Sequence, residues 1–152
     1  MLKEFVEKGR FCFHGSFDNW EDSIRASCKP LIDEGVCESI YAETIIDCVK
    51  KYGPYIIIIP NVALPHAQEG ALGVHDTAIS FMKVETPVKF DPDDSEKDAK
   101  LFFVLASVNH DKHLENMAKL SDMLMNEDLV NELMNAKSEK DLLALDEKYI
   151  SK

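Results

Sequence analysis

The sequence has no hydrophobic run long enough to cross a membrane. Unbroken apolar stretches such as residues 55–60 are short, whereas a spanning helix needs about 20 apolar residues. The first ten residues, MLKEFVEKGR, mix acidic with basic side chains, and no apolar run follows them. They therefore do not resemble a secretory signal. We expect a cytoplasmic protein that does not insert into a membrane.

Positive charge is also scarce. The chain carries 17 Lys and Arg against 28 Asp and Glu, a formal net charge of −11. Proteins that bind nucleic acid without sequence preference need clustered positive charge to neutralise phosphates. This composition therefore argues against a nucleic-acid partner. An acidic surface can instead steer the protein towards a basic surface on another protein.

Several signatures of metal and hydrolase sites are missing. The four cysteines, Cys12, Cys28, Cys37 and Cys48, include no C-x-x-C pair, and we expect them to pack as small, reduced apolar residues. The acidic stretch 90–100 lacks the Gly and the terminal Glu of a calcium loop, so a charged surface loop is expected there. No G-x-S-x-G motif is present. We expect no cofactor and no metal.

What the sequence does contain is one domain of helices and strands over residues 1–152. Hydrophobic residues make up 45% of the chain, enough for a core. Strands are predicted at 9–17, 55–59, 77–84 and 100–108, the second buried on both faces. A helix should follow Asp18 and Asn19 and be kinked or ended by Pro30 or Gly35.

A second helix, with an apolar stripe that starts at Tyr41, should end before Gly53. Three C-terminal helices should start near Asp111, after Asn126 and after Ser138, which forms a capping box with Asp141. The methionines at 117, 123, 125 and 134 are expected in the core. Helices on either side of a strand-rich middle imply an α/β sandwich.

The most informative segment is IPNVALPHA, residues 59–67, in which two prolines bracket an apolar stretch that ends at His66. Pro65 fixes its own φ and restricts Leu64, so the chain that enters His66 is stiff. A neutral imidazole is a nucleophile suited to carry a group near neutral pH. The alternative is a turn histidine whose ring is satisfied by a backbone carbonyl.

The second candidate is NHDKH, residues 109–113, directly after a predicted strand. The helix that begins there presents free N–H groups and the positive end of its dipole, a natural anion site. His113 in the first turn can add a donor, or it is a helix-start histidine in solvent. His110 is expected to be exposed.

Together the two segments suggest a phosphate relay, with His66 as acceptor and the helix start stabilising the transferring group. A metal site is the rival, but two histidines are too few for zinc and no third ligand stands at a recognisable spacing.

These segments resemble a known family. GPYIIIIPNVALPHA, residues 53–67, is similar to the active-site segment of the mannitol/fructose-type (type 2) enzyme IIA domains of the bacterial phosphoenolpyruvate-dependent sugar phosphotransferase system. The likeness is strongest to the ascorbate-type branch, and it extends to LFFVLASVNHDKHLENMAKLSDML, residues 101–124. It implies a mixed β-sheet flanked by helices on both faces, that is, a three-layer sandwich of the α+β type.

Carried over to this chain, the resemblance implies that His66 is phosphorylated on Nε2 and that His113 helps to hold the phosphoryl group. The donor would be the histidine phosphocarrier protein. The acceptor would be a cysteine on a cognate enzyme IIB that feeds a sugar permease. The transported sugar cannot be read from the sequence, although the motif favours ascorbate. A homodimer is compatible with the sequence, but nothing in it demands one.

The chain departs from the family at one position that matters. Relatives commonly carry Arg two positions after the active histidine, and here Gln68 stands there. A neutral amide binds phosphate less strongly than a guanidinium. Lys112 is the candidate replacement cation, and Gln68, Asn109, Asp111 and Lys112 are the predicted phosphate-binding residues.

Three further points follow from the same resemblance. The stretch 69–73 is about one residue longer than the usual P-E-x-G pattern of the family. Gln68 also keeps open a regulatory role, in which the phosphorylation state of the domain controls a partner protein. His14 and His75 match no functional position and are expected at the surface.

Overall fold

A computed structural model describes residues 1–68 and 72–150. Its helices are α1 (Leu2–Lys8), α2 (Trp20–Glu34), α3 (Ser39–Tyr52), α4 (His110–Leu124), α5 (Glu127–Leu133) and α6 (Glu139–Tyr149). Its strands are β1 (Phe11–His14), β2 (Ile57–Ile59), β3 (Asn61–Ala63), β4 (Ala78–Lys89) and β5 (Asp98–Ala106). None of the helices in these two ranges is both long and apolar enough to cross a membrane.

The strands form one mixed sheet in the order β1-β4-β5-β3-β2. β1 runs parallel to β4 and β3 parallel to β5, whereas the pairs β4–β5 and β2–β3 are antiparallel. The long strands β4 and β5 lie inside the sheet, and the short strands β2 and β1 form its edges. The predicted mixed sheet is confirmed.

Helices cover both faces of this sheet. On one face α2 and α3 bury residues such as Ile24, Leu31 and Ile45 against Met82 and Phe102. On the other face the α1, α4, α5 and α6 helices pack against a second apolar cluster, which includes Leu2, Phe81, Phe103, Leu120 and Leu142. Side chains alternate between the faces of a strand, so β4 and β5 supply both clusters. The three-layer sandwich is therefore confirmed.

Helix α2 starts where the sequence predicts and passes through the proline that was expected to disturb it. Asn19 caps its first turn by accepting a hydrogen bond from the Asp22 N–H, and Gly35 ends it at a φ of 88°. Pro30 was predicted to kink or end the helix; it lies inside the helix, so the second of these two outcomes is wrong. Proline deprives the carbonyl four residues earlier, that of Ala26, of its donor.

The thiol of Cys12 replaces that donor. Its Sγ donates to the Ala26 carbonyl across 3.8 Å, and burial raises the pKa of the thiol to about 12, so it stays protonated. Cys28, Cys37 and Cys48 are buried, and all four cysteines are free. Their predicted role as reduced packing residues is confirmed, and Cys12 has in addition a hydrogen bond that sustains α2.

The three C-terminal helices are confirmed, with two corrections. Asn109, Asn126 and Ser138 each accept a hydrogen bond from a first-turn N–H. The reciprocal bond of the predicted capping box goes elsewhere, because the Asp141 carboxylate accepts from the Lys137 N–H. Met125 is 79% exposed, so its expected place in the core is wrong.

The other errors concern short elements and element ends. Helix α1 was not predicted. The expected strand at 55–59, buried on both faces, is the three-residue edge strand β2, in which Ile58 is 43% exposed. Strand β3, directly after it, was also missed. β4 continues to Lys89 and β5 begins at Asp98, so the charged loop is shorter than predicted.

Candidate functional site

A tight hairpin delivers His66 to the edge of the sheet. β2 turns into β3 through Pro60 and Asn61, and Asn61 adopts a φ of 74°, the left-handed conformation that Asn tolerates in turns. After β3 ends at Ala63, the Leu64 N–H donates to the Ile56 carbonyl across 2.8 Å.

The next residue is held on the opposite side. The Leu105 N–H of β5 donates to the Pro65 carbonyl across 3.0 Å, and Pro65 itself is buried. The chain that enters His66 is thus fixed by main-chain bonds on both sides, as the proline pattern predicts.

The imidazole of His66 is oriented by its own backbone. Its Nδ1 lies 2.5 Å from the Leu64 carbonyl oxygen. A carbonyl oxygen can only accept, so Nδ1 must carry the proton and donate. In the neutral ring this leaves the Nε2 lone pair free. The predicted alternative, a ring that bonds to a backbone carbonyl, is therefore correct for Nδ1. The same hydrogen bond leaves Nε2 unprotonated and able to react.

Two tyrosines hold the loop around His66. The Tyr55 hydroxyl donates to the His66 carbonyl, and the Tyr55 ring stands edge-on to the imidazole with 5.2 Å between ring centroids. The buried Tyr41 hydroxyl donates to the Leu105 carbonyl at 2.5 Å and accepts from the Ala67 N–H at 3.4 Å. Burial raises the pKa of both phenols, so they remain donors.

Helix α4 brings the second histidine to the first. The ring centroids of His66 and His113 lie 5.8 Å apart. His113 is half-buried on the face of α4 that packs against the sheet through Leu120 and Leu124. The expectation that the two predicted segments form one site is supported by this geometry, and the alternative of a fully solvent-exposed His113 is wrong.

The surroundings of both imidazoles favour the neutral form. Burial lowers the pKa of His66, the hydrogen bond to Leu64 partly opposes this effect, and the neighbouring His113 lowers the pKa further. Burial also lowers the pKa of His113, with a smaller contribution from His110. A neutral His66 with Nε2 unprotonated is the nucleophilic form.

The start of α4 adds donors beside the histidine pair. Asn109 is the N-cap and accepts from the Lys112 N–H across 3.0 Å. The Ser107 hydroxyl in turn donates to the Asn109 carbonyl across 2.7 Å, which fixes the loop before the helix. The first N–H groups of a helix have no main-chain partner inside it, so those that the Asn109 cap does not engage can face an anion.

The remaining predicted phosphate-binding residues lie at the surface. Gln68 and Asp111 are exposed. Lys112 forms an ion pair with Glu115, with 3.1 Å between Nζ and Oε2. Among the contacts of residues 1–68 and 72–150, none joins these three side chains to His66 or His113. Most of the predicted long stretch at 69–73 lies outside the described residues.

The other three histidines are exposed, as predicted. His14 and His110 lie at the surface, and His75 pairs with Glu38 across 2.7 Å. In the part of the chain that the structure describes, no group of three or more His, Cys, Asp or Glu side chains could hold a metal ion.

Sequence reasoning overlooked Tyr41 and Tyr55 as site residues. Tyr41 counted only as one member of the apolar stripe of α3, and Tyr55 only as the first residue of a strand. The pattern shows where a ring is buried, but it cannot show where a hydroxyl points. The only signal in the sequence was that both tyrosines precede the proline-flanked histidine, Tyr55 by 11 residues and Tyr41 by 25.

A mixed sheet between two helical layers, with a histidine at its edge beside a helix N-terminus, is a class of fold and site that can bind an anionic group such as phosphoryl. The family model described as "Phosphoenolpyruvate-dependent sugar phosphotransferase system, EIIA 2" matches residues 4–148. The chain belongs to this family, and it is therefore a phosphotransferase component of the sugar phosphotransferase system.

Curated relatives agree with this assignment. The chain is 32% identical over 138 residues to the mannitol-specific cryptic phosphotransferase enzyme IIA component of Escherichia coli K12, covering 91% of each chain. It is 26% identical over 129 residues to the ascorbate-specific EIIA component of the same strain, covering 84% of this chain and 82% of the relative.

Solved structures have the same fold. The solution structure of the mannitol-specific cryptic enzyme IIA CmtB from Escherichia coli matches with a TM-score of 0.81 and 30% identity, covering 95% of this chain and 96% of the other. A complex of the Escherichia coli mannitol enzyme IIA with phosphorylated enzyme IIB matches with a TM-score of 0.76 and 21% identity, covering 90% and 92%.

Proposed function

We propose that His66 carries the phosphoryl group on Nε2, within a single domain that spans residues 1–152. The observation that carries this assignment is the 2.5 Å contact between Nδ1 and the Leu64 carbonyl. Because this contact places the proton on Nδ1, the Nε2 lone pair can attack phosphorus without first losing a proton.

His113 and the start of α4 stabilise the negative charge of the phosphoryl group during transfer. Phosphoryl transfer depends mainly on positioning and on stabilising charge spread over three equatorial oxygens. Helix N–H groups and a neutral imidazole can supply this without a metal. Among the predicted phosphate-binding residues, Asn109 contributes by fixing the helix start, and Gln68, Asp111 and Lys112 act at the rim of the site.

The transfer itself balances as a displacement at phosphorus. The P–N bond of a phosphohistidine on the histidine phosphocarrier protein breaks, and its electron pair returns to the donor nitrogen. The Nε2–P bond of His66 forms at the same time. The phosphoryl group then passes to a cysteine of a cognate enzyme IIB. The complex of the Escherichia coli mannitol enzyme IIA with phosphorylated enzyme IIB supports enzyme IIB as the acceptor.

Exposed apolar side chains next to the site suit protein partners. Val108, just before α4, is 57% exposed, and Leu114, next to His113, is 54% exposed. Apolar side chains in contact with partners form the centre of many protein interfaces. The net charge of −11 favours a partner with a basic surface. A cytoplasmic location, as the sequence predicts, is part of this proposal.

The sugar is decided elsewhere. In this account the chain touches only other proteins, so the permease and enzyme IIB select the substrate. The two curated relatives are named for mannitol and for ascorbate, and the ascorbate preference suggested by the sequence motif therefore remains a hypothesis.

Gln68 favours a regulatory module as the second candidate. Its exposed amide cannot bind phosphate with the charge of an arginine. A domain that accepts phosphate but passes it on slowly would report phosphorylation to a partner rather than support transport. The two functions differ in the second transfer, from His66 to enzyme IIB.

The test is a reconstituted relay. The purified chain is incubated with labelled phosphoenolpyruvate, enzyme I and the histidine phosphocarrier protein, and acid-labile, base-stable label is measured. We expect stoichiometric label on the wild type, none on His66→Ala, and slower labelling of His113→Ala. Adding enzyme IIB should then discharge the label if the function is transport.

His75→Ala is the matched control, because it removes an exposed histidine paired with Glu38. It should label like the wild type. Absence of label on the wild type, or full labelling of His66→Ala, would overturn the proposal. Label that enzyme IIB does not remove would favour the regulatory function.

A further inference from the structure

The chain after β3 stays in register with β5 but does not complete the parallel ladder. Val62 pairs with Leu101 and Ala63 with Phe102. Adding three residues to each strand pairs His66 with Leu105. In a parallel ladder, that pair requires one bond from the Leu105 N–H to the Pro65 carbonyl and another from the Ala67 N–H to the Leu105 carbonyl.

The first of these bonds is present and the second is replaced. The Leu105 N–H donates to the Pro65 carbonyl across 3.0 Å. The Leu105 carbonyl instead accepts from the Tyr41 hydroxyl, and the same hydroxyl accepts from the Ala67 N–H. One phenolic oxygen is therefore inserted where a direct main-chain bond would close the ladder.

On the other side of the segment, a tyrosine hydroxyl again takes the place of a main-chain donor. The Leu64 N–H donates to the main-chain carbonyl of Ile56, which continues the β2–β3 pairing. Two residues later the His66 carbonyl accepts from the Tyr55 hydroxyl rather than from a main-chain N–H. Both side chains come from the same stretch of chain, α3 and the turn that follows it.

We propose that Tyr41 and Tyr55 are positioning residues. They prevent the segment around His66, at the end of the sheet, from pairing fully with β5 in the β3–β5 ladder. The His66 ring therefore turns back to Leu64 and presents Nε2. A hydroxyl both donates and accepts, so the insertion of Tyr41 leaves neither Ala67 nor Leu105 unpaired. A direct bond would draw Ala67 towards β5 and move the imidazole with it.

This inference deepens the proposed function and rests on it for its kinetic consequence. Transfer rates are sensitive to small errors in position, and a displacement of about 1 Å can cost about 100-fold. Tyr41→Phe allows Ala67 and Leu105 to approach each other. We expect its labelling rate by the phosphocarrier protein to fall about 10- to 100-fold, while the protein stays folded.

A spectroscopic readout separates positioning from stability. In the wild type, nitrogen NMR of the His66 imidazole should show one protonated nitrogen, Nδ1, and one unprotonated nitrogen, Nε2. In Tyr41→Phe and in Tyr55→Phe the two signals should move towards each other, because the Leu64 hydrogen bond is lost for part of the time. Tyr149→Phe is the matched control, since its hydroxyl bonds to Glu132 between α6 and α5.

We expect Tyr149→Phe to keep the wild-type labelling rate and His66 spectrum even if its melting temperature falls. Wild-type rates and spectra in Tyr41→Phe and Tyr55→Phe would overturn the inference. If Tyr41→Phe fails to fold, Tyr55→Phe alone decides by the same two measurements. If the wild type takes no label, the proposed function fails, and the His66 spectra still test the positioning.

Discussion

At the residue scale, a carbonyl two positions earlier in the chain decides which nitrogen of His66 can react. The Leu64 oxygen engages Nδ1, and the stiff Leu64–Pro65 pair keeps that oxygen in place. The reactive tautomer therefore results from local backbone geometry and needs no carboxylate partner. The phosphorylated ring would keep the same Nδ1–H hydrogen bond, so little reorganisation accompanies the transfer.

The lowered pKa of His66 makes a prediction for pH dependence. Burial disfavours the imidazolium, so the folded chain binds fewer protons than the unfolded chain between the lowered pKa and the ordinary value of about 6.5. The stability contribution of this group is therefore constant above pH of about 6.5 and is lost as the pH falls towards the folded pKa.

An NMR titration of the His66 ring measures this shift. We expect a midpoint below the ordinary histidine value and phosphate acceptance that persists in mildly acidic buffer, because Nε2 stays unprotonated there. A midpoint at or above the ordinary value would show that the ring is charged more easily than its burial implies.

At the element scale, the N-terminus of α4 is built to be rigid, and its cap can be tested against a matched one. Asn109 and Asn126 cap α4 and α5 through equivalent side-chain bonds of 3.0 and 3.2 Å. Replacing either by Ala should cost about 1 kcal/mol of stability. Only Asn109→Ala should also slow phosphate acceptance, because only α4 starts at the histidine pair.

Urea denaturation and the labelling assay check this pair of variants. If both variants accept phosphate at the same rate, the start of α4 contributes nothing to the transferring group.

Helix α2 offers a second prediction at this scale. Pro30 removes the hydrogen bond to the Ala26 carbonyl, and the Cys12 thiol compensates only weakly across 3.8 Å. Pro30→Ala restores the helical donor and should raise the free energy of unfolding by about 1 to 3 kcal/mol. Chemical denaturation measures this change in the free energy of unfolding. A destabilised variant would show that the packing of the proline ring stabilises the fold more than the restored hydrogen bond does.

The elements that could be predicted are those with a strong local signal. Helices α2 and α3 combine a helical apolar stripe with a cap or a terminal glycine, and their ends fall at Gly35 and Gly53 as expected. β2 and α1 are short, and their burial depends on partners far away in sequence. No local pattern distinguishes the four-isoleucine run of an edge hairpin from a fully buried strand.

The residues of the site also fall into those that the sequence could predict and those that it could not. His66 could be predicted because two prolines and a strand end mark it, and His113 because it follows a helix cap. That their rings meet 5.8 Å apart depends on how α4 packs on the sheet. The role of Tyr41 depends on the register of β3 and β5, which the sequence does not encode locally.

At the scale of the whole molecule, the two helical layers give the sheet edge a firm base on both faces. Phe81, Phe102 and Phe103 are fully buried, so the packed strands β4 and β5 hold Leu105, near the end of β5, where it meets the His66 segment. The exposed charge is mostly acidic, which gives the molecule a net charge of −11. Long-range attraction to a basic partner should therefore speed the encounter.

Salt provides the test at this scale. Raising ionic strength from about 0.05 M to about 0.5 M shortens the screening length from more than 10 Å to less than 8 Å. The second-order rate of phosphate transfer from the phosphocarrier protein should fall several-fold, while the thermal stability of the chain changes little. An unaffected rate would show that charge plays no part in the encounter, and a rate increased by salt would show that the two partners repel each other.

The most direct measurement identifies the phosphorylated atom. Phosphorus and nitrogen NMR of the chain, phosphorylated through the phosphocarrier protein with its histidines labelled with nitrogen-15, reports which nitrogen is bonded to phosphorus. We predict one phosphohistidine, at His66, with phosphorus bonded to Nε2 and Nδ1 still protonated. Phosphorus on Nδ1 of His66, or on any other residue, would contradict it.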